Sequence, residues 1–137
     1  MEKFQGVEDT ALFINKGITW WKILNVRSAF KDARLRDELQ AVIRDPADGR
    51  LDTILEFGDM ALQMADRQGK RQKQLTKDTS QAINHTCNGV VALCRELLQT
   101  CYHAYVMLGL FSTDPLEKQF SKLRQGSGGT YVINVYF

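Results

Sequence analysis

Apolar residues recur at intervals of three and four along most of the chain, which is the periodicity of amphipathic helices. Four stretches carry this pattern, at about residues 9–24, 37–43, 51–68 and 83–108, and a shorter one starts at Asp114. Between the second and third stretches, Pro46 and Gly49 predict a turn in which the glycine takes a left-handed conformation. The pattern predicts a mainly α protein, a helical bundle of about four to five helices.

The first predicted helix begins at a cap on Asp9 or Thr10, after a polar start that we expect to fray. Its apolar residues cover more than one face, so it should pack on several sides. Trp20 and Trp21 are adjacent and therefore point about 100° apart on a helix, which does not suit a flat base-stacking platform. Anchoring in the core is the favoured role for this pair.

The longest predicted helix runs to about Gly109 and contains a heptad-like seam. The seam alternates intervals of four and three over Ile83, Cys87, Val90, Cys94, Leu97, Cys101, Ala104 and Leu108. A second apolar strip follows Val91, Leu98, Tyr102 and Tyr105. Two strips are typical of a central core helix, whereas the seam alone would suit a homo-oligomer interface, and both interpretations stay open.

Length and composition indicate one ordinary globular unit. The chain has 137 residues, with 44% hydrophobic and 25% charged residues. A formal net charge of +2 is too small to indicate a nucleic-acid partner by itself. A basic connector at residues 67–77 has no acidic residue and is either a solvated loop or a phosphate contact. No secretory signal or membrane span fits the sequence, which predicts a soluble intracellular protein with no membrane partner.

Three cysteines, Cys87, Cys94 and Cys101, are separated by seven residues each. On one helix this interval places neighbouring thiols about 10.5 Å apart along the axis. Two thiolates that share a zinc ion lie much closer together. We therefore expect buried cysteines in a protein of a reducing compartment.

The segment around Asp114 and Glu117 has two interpretations. Asp114 fits a helix N-cap, Pro115 fits the first helical position, and Glu117 would complete a capping box. Alternatively, the two acids lie one turn apart and could supply a carboxylate to a divalent metal such as Mg²⁺ or Mn²⁺ in a phosphoryl-transfer site.

The same segment resembles the signature that closes the catalytic domain of P-element-type DNA transposases, including the THAP-domain members. The similarity is carried by Asp114-x-Leu116-Glu117, an aromatic residue at Phe120, Arg124-Gln125, and a Ser-Gly-Gly run before Tyr131. Upstream, the run Trp20-Trp21-Lys22-Ile23-Leu24-Asn25-Val26 is similar to an earlier segment of that family. The resemblance spans most of the chain and is specific in about twenty residues around Glu117.

The resemblance implies a cut-and-paste enzyme of the nucleus whose RNase H-like domain holds two metal ions with three acids. Glu117 would match the third acid, which makes it the metal ligand, and Asp114 would be its catalytic neighbour. Residues 1–77 would correspond to the later part of a helical insertion that binds GTP, and residues 78–137 to the long core helix and last segment of the catalytic domain. Transposon-end DNA is the implied partner, with Mg²⁺ or Mn²⁺ and GTP as cofactors.

The chain also departs from the family pattern. The first two acids would lie upstream of Met1, no zinc module is present, and residues 130–137 alternate like a strand. We therefore expect a fragment that is inactive alone, because one carboxylate does not make a two-metal site. The alternative is a non-catalytic helical interaction module or GTP-binding module.

Overall fold

The computed structural model describes residues 2–66, 75–126 and 128, and for residues 2–6 and 65–66 it describes the backbone alone. The described part contains five α-helices: α1 (Glu2–Leu24), α2 (Lys31–Leu35), α3 (Gly49–Asp66), α4 (Lys77–Gln99) and α5 (Asp114–Gly126). Two short 3₁₀-helices lie at Glu38–Gln40 and Leu108–Leu110. The prediction of a mainly helical bundle with four to five helices is confirmed.

Helices α3 and α4 pack against each other in antiparallel orientation. Gly58 of α3 lies so close to α4 that a β-carbon there would be 3.0 Å from Cβ of Cys87. Nearer the start of α3, Asp52 accepts a hydrogen bond from Arg95 of α4 at 3.4 Å. The cluster of buried residues centred on this pair is Ile23, Ile43, Leu51, Ile54, Phe57, Cys87, Val91, Cys94, Leu98, Val106 and Leu108. The long α4 is therefore a core helix, one of the two predicted alternatives.

Helix α1 packs on α3 through aromatic rings. Phe57 of α3 stacks on Trp20 with the ring centroids 4.7 Å apart, and on Phe13 with the centroids 6.0 Å apart. Core anchoring is correct for Trp20, whereas Trp21 is 60% exposed. Helix α1 also contacts both 3₁₀-helices, so the predicted packing on more than one side is found, although a second apolar face of this helix remains exposed.

The segment between α1 and α3 is held by the side chain of Arg50. Its guanidinium donates to the backbone carbonyls of Glu38, Ala41 and Val42 and forms an ion pair with Asp48 at 2.8 Å. Asp48 also accepts from the backbone N–H of Arg50 at 2.9 Å, which is an N-cap contact for α3. One partly buried arginine thus attaches residues 38–42 to the start of α3.

The prediction that α4 continues to about Gly109 is wrong, because the helix ends at Gln99. Tyr102 takes a left-handed conformation with φ of 54°, which no continuing α-helix allows. The amides of Cys101 and His103 donate back to the carbonyls of Glu96 and Leu97 and satisfy the helix end. The chain then leaves in extended form, so Cys101 and Ala104 are exposed and not part of a helical seam.

Three other predicted boundaries need correction. Helix α1 begins at Glu2, seven residues before the expected cap at Asp9. The helix predicted over residues 37–43 is only a 3₁₀ turn, because Ile43 pairs in antiparallel fashion with Val106 through two backbone hydrogen bonds of 2.8 and 3.0 Å. The turn before α3 is built on Asp45, and Gly49 is already the first residue of the helix.

Some predictions fall outside this description. The expected strand at residues 130–137 and most of the basic connector lie outside the described residues. The division at residues 77 and 78 stays a prediction, although both sides supply residues to the cluster around α3 and α4. Within the described ranges, no helix is long and apolar enough to cross a bilayer.

Candidate functional site

The candidate site is the start of α5, where Asp114 and Glu117 lie in the first helical turn. Acidic side chains are favourable there because the first amides of a helix carry partial positive charge. The amide of Glu117 donates to the carbonyl of Thr113 at 2.9 Å, so the first helical hydrogen bond starts from Thr113. The predicted N-cap at Asp114 is therefore displaced by one residue, and Asp114 and Glu117 do not form the expected capping box.

Asp114 is directed toward the segment that follows α1. Its Oδ2 atom forms an ion pair with Nη1 of Arg27 at 2.5 Å, and both side chains are partly exposed. This contact connects the start of α5 to a residue that is far away in the sequence. Asp114 is thus neutralised by a cation, and it does not lie free beside Glu117.

Glu117 is exposed, and its Oε1 atom accepts a hydrogen bond from the hydroxyl of Thr113 at 2.8 Å. Within the described ranges, no ion pair involves its carboxylate. A carboxylate has about four lone-pair sites, so the exposed Glu117 side chain retains acceptor capacity for a cation. The two acids that the sequence singled out therefore differ in their bonding partners: Asp114 binds a guanidinium and Glu117 binds a hydroxyl.

A close backbone contact holds Arg27 in position. The amide of Gly109, in the second 3₁₀-helix, donates to the carbonyl of Val26 at 2.9 Å. A β-carbon at Gly109 would lie 2.7 Å from that same carbonyl oxygen and 2.7 Å from Cγ of Arg27. Only glycine fits here without a shift, so Gly109 lets the segment before α5 approach Arg27 closely.

An open, polar cleft lies beside Arg27. It has a volume of about 410 Å³ and is lined by Asn25, Arg27, Ser28, Lys31 and Arg34. Lys31 donates to the carbonyl of Asn25 at 2.9 Å, which fixes its side chain across the cleft. Three cations and a hydroxyl around one cleft form an environment that suits an anion such as phosphate.

A metal ion would not be held by this segment alone. Among the described residues, no group of three or more His, Cys, Asp or Glu side chains lies close enough together to bind a metal ion. Mg²⁺ and Mn²⁺ in phosphoryl-transfer sites need several acidic oxygens. Glu117 could supply one of them, and further carboxylates would have to come from elsewhere.

Sequence reasoning missed the ion pairs that organise the surroundings of the site. Asp37 accepts from Lys22 at 3.0 Å and from the amide of Leu39 at 3.1 Å. The hydrogen bond from Lys22 lowers the pKa of the Asp37 carboxyl. The apolar periodicity predicts Asp37 as the first residue of a helix over residues 37–43. An acidic residue directly before a short helical turn is, however, a recognisable N-cap signal.

Comparisons of the chain with protein-family models, with curated protein sequences and with solved structures found no match.

Proposed function

We propose that the chain is part of a cut-and-paste DNA transposase of the P-element type and contributes Glu117 as the last metal-binding acid of its strand-cleavage and strand-transfer site. The observation that carries the proposal is the contrast between the two acids of α5. Glu117 is exposed, and among the described residues its carboxylate accepts a single side-chain hydrogen bond, from the Thr113 hydroxyl, so it is available to a cation. The sequence resemblance around this residue supplies the reaction class.

Asp114 then has a supporting role. Its ion pair with Arg27 fixes the start of α5 against the segment that follows α1. A carboxylate that already has a cationic partner is a weaker ligand for Mg²⁺, because the metal would have to displace the arginine. In this proposal Asp114 is a positioning residue, and its effect on the reaction passes through the placement of Glu117.

The remaining requirements of such an enzyme lie outside the described residues. A two-metal site needs further acids, which we assign to the parent transposase together with Mg²⁺ or Mn²⁺. Its substrate would be transposon-end DNA in the nucleus, and the parent family binds GTP in its helical insertion. The cleft lined by Arg27, Lys31 and Arg34 is where a phosphate group of either ligand would find cations.

The test places the chain in a longer reading frame that supplies two upstream acids and measures cleavage of transposon-end DNA with Mn²⁺. Glu117→Gln should lower the cleavage rate by at least about a hundredfold, because it removes a metal-binding charge. Asp114→Asn should reduce the rate less, by about tenfold or under. Glu56→Gln, an exposed acid on α3, is the matched control and should have wild-type activity.

Two results would contradict the proposal. A genomic reading frame without two further acids would remove the enzyme to which Glu117 is assigned. Cleavage by Glu117→Gln within about threefold of the wild-type rate would show that the carboxylate does not bind a catalytic metal. Thermal unfolding of each variant must match the wild type, so that lost activity is not lost folding.

The second candidate is a helical interaction module without catalysis, and a specific observation favours it. Leu116, Phe120 and Leu123 follow one face of α5 and are 62%, 55% and 51% exposed. Such a stripe is the usual face for packing against another helix. A module of this kind could bind either a nucleotide or another protein. Titration calorimetry of the 137-residue chain with GTP and Mg²⁺ distinguishes these two functions, since micromolar binding would indicate a nucleotide-binding module. Absence of binding would leave protein interaction alone.

A further inference from the structure

Helix α1 carries a second apolar face that the fold does not use. The face consists of Val7, Ala11, Ile14, Ile18 and Trp21, all of them exposed. The four large residues are between 50% and 65% exposed. This face and the aromatic face that packs on Phe57 are separated by roughly 130° around the helix.

The spacing of these residues is that of a coiled-coil seam. The intervals from Val7 to Trp21 are four, three, four and three, which keeps all five side chains in one stripe. A helix in a four-helix bundle likewise packs on its neighbours through inward-facing a and d positions. Helix α1 is therefore shaped to pack on α3 at one face and on a further helix at the other.

We infer that this face of α1 is the interface of a symmetric, antiparallel dimer of two copies of the chain. When Ile14 of one copy faces Ile18 of the other, Ala11 faces Trp21 of the second copy. The smallest residue of the stripe then lies opposite the largest, and Val7 lies at the edge of the interface, opposite the end of α1 in the second copy. A parallel pair would instead place Trp21 against Trp21 and Ala11 against Ala11, which leaves one layer crowded and another empty.

The charges beside the stripe have the same symmetry. Glu8, Asn15 and Lys22 follow one flank of the stripe at intervals of seven residues, and Asn15 also borders the cleft between α1 and Phe57 of α3. In the antiparallel register, Glu8 comes within one helical turn of Lys22 of the second copy, and Asn15 comes equally close to Asn15 of the second copy. Both copies thus gain an opposite-charge pair, which is the electrostatic signature of a preferred orientation.

Lys22 is compatible with this role although it already has a partner. Its ammonium binds Asp37 at 3.0 Å, and its side chain remains 41% exposed. An ammonium has three N–H donors, so it can bind Glu8 of a second copy and Asp37 together. The stripe is about 21 Å long, shorter than most stable interfaces, so we expect a weak dimer with a dissociation constant on the order of 10 µM.

Sedimentation velocity over a concentration range that brackets about 10 µM tests the dimer. The wild-type mass should rise from monomer to dimer, and Ile14→Lys or Ile18→Lys should remain monomeric throughout. Leu12→Lys is the matched control, because Leu12 is 55% exposed on the same helix but lies outside the stripe. It should dimerise like the wild type, and circular dichroism should show equal helix content in all variants.

Disulfide trapping tests the antiparallel register. In a background with Cys101→Ser, Asn15→Cys should form a disulfide-linked dimer on mild oxidation, because the two copies of residue 15 face each other. Glu8→Cys should not, since its two copies would be about 24 Å apart. Charge reversal adds a further check: Glu8→Lys should weaken the dimer at least about fivefold, and mixing it with Lys22→Glu should restore association.

Three outcomes would overturn the inference. A wild-type chain that stays monomeric would assign the stripe to a different partner. A dimer that survives Ile14→Lys would have its interface elsewhere, for example on the exposed stripe of α5. Trapping by Glu8→Cys in place of Asn15→Cys would reject the antiparallel register.

Discussion

Arg27 and Asp114 form an ion pair that connects the end of α1 to the start of α5, with 2.5 Å between Nη1 and Oδ2. The pair gives Asp114 a cationic partner, whereas Glu117 has none among the described residues. It also fixes the direction of a helix that has no buried side chain among its described residues. The start of α5 is thus placed mainly by this contact and by the close approach of Gly109 to Val26.

Asp114→Asn tests how much this ion pair stabilises the protein. The side chains of Arg27 and Asp114 are 49% and 39% exposed, so solvent weakens their attraction. We expect a loss of under about 1 kcal/mol in the free energy of unfolding, measured by urea denaturation. The difference from the wild type should shrink in high salt, and a salt-independent loss of several kcal/mol would show that Asp114 has another structural role.

Two glycines in helices give a matched pair of alanine substitutions. Gly58→Ala should lower the free energy of unfolding by about 1 to 3 kcal/mol, because its β-carbon would press on Cβ of Cys87 and the backbone of Asn84. Gly89→Ala should instead raise it by up to about 1 kcal/mol, since no atom lies within 4 Å and alanine favours the helix. Thermal and urea unfolding would measure both, and equal effects would contradict the close packing of α3 on α4.

The ion pair of Asp48 with Arg50 predicts a pH dependence. The hydrogen bond from Arg50 is the largest influence on Asp48 and holds the pKa of its carboxyl below 3.8. A pKa that is lower in the folded protein than in the unfolded chain adds stability above the unfolded pKa. That contribution disappears as the pH falls through the folded pKa.

Asp48→Asn should therefore unfold more easily at neutral pH and lose less stability than the wild type between about pH 5 and pH 2. Urea denaturation at a series of pH values measures both the stability at neutral pH and its loss in acid. Asp52→Asn is the control, because Asp52 lies in the first turn of α3, close to Asp48 in the sequence, but its side chain is 62% exposed. If the free energy of unfolding of Asp48→Asn fell with decreasing pH as steeply as that of the wild type, the Asp48 carboxyl would not contribute to the pH dependence.

Helical periodicity was sufficient to predict the fold class, because buried stripes repeat along α3 and α4. It could not predict the end of α4. The apolar spacing continues through Cys101 and Leu108, but Val106 pairs with Ile43, which lies far away in the sequence. Pairing of Val106 with Ile43 is incompatible with a continued helix, and the chain leaves the helical conformation before Tyr102.

The candidate site was predictable only in part. Local sequence placed Asp114 and Glu117 in the first turn of a helix, since proline and acidic residues mark helix starts. Nothing local indicated that Asp114 would bind Arg27, because the pairing depends on how α1 and α5 are brought together. The role of Arg50 could not be predicted either, because the three backbone carbonyls that it binds come close to it only in the folded chain.

The three cysteines should differ in reactivity toward a thiol reagent such as Ellman's reagent. Cys101 is exposed, whereas Cys87 and Cys94 are fully buried. Burial raises the pKa of the Cys87 thiol and raises the pKa of Cys94 to about 11. The thiolate is the reactive form, so both buried thiols are protected by inaccessibility and by protonation.

In the native protein, one thiol should therefore react rapidly, and all three should react in denaturant. Cys101→Ser should remove the rapid phase and leave the slow one unchanged. If the buried thiols react only through unfolding, their rate should rise in Gly58→Ala, because the crowded contact with Cys87 makes unfolding easier. Rapid reaction of Cys87 or Cys94 in the native wild type would contradict the packing of α4 against α3, on which the placement of the whole bundle depends.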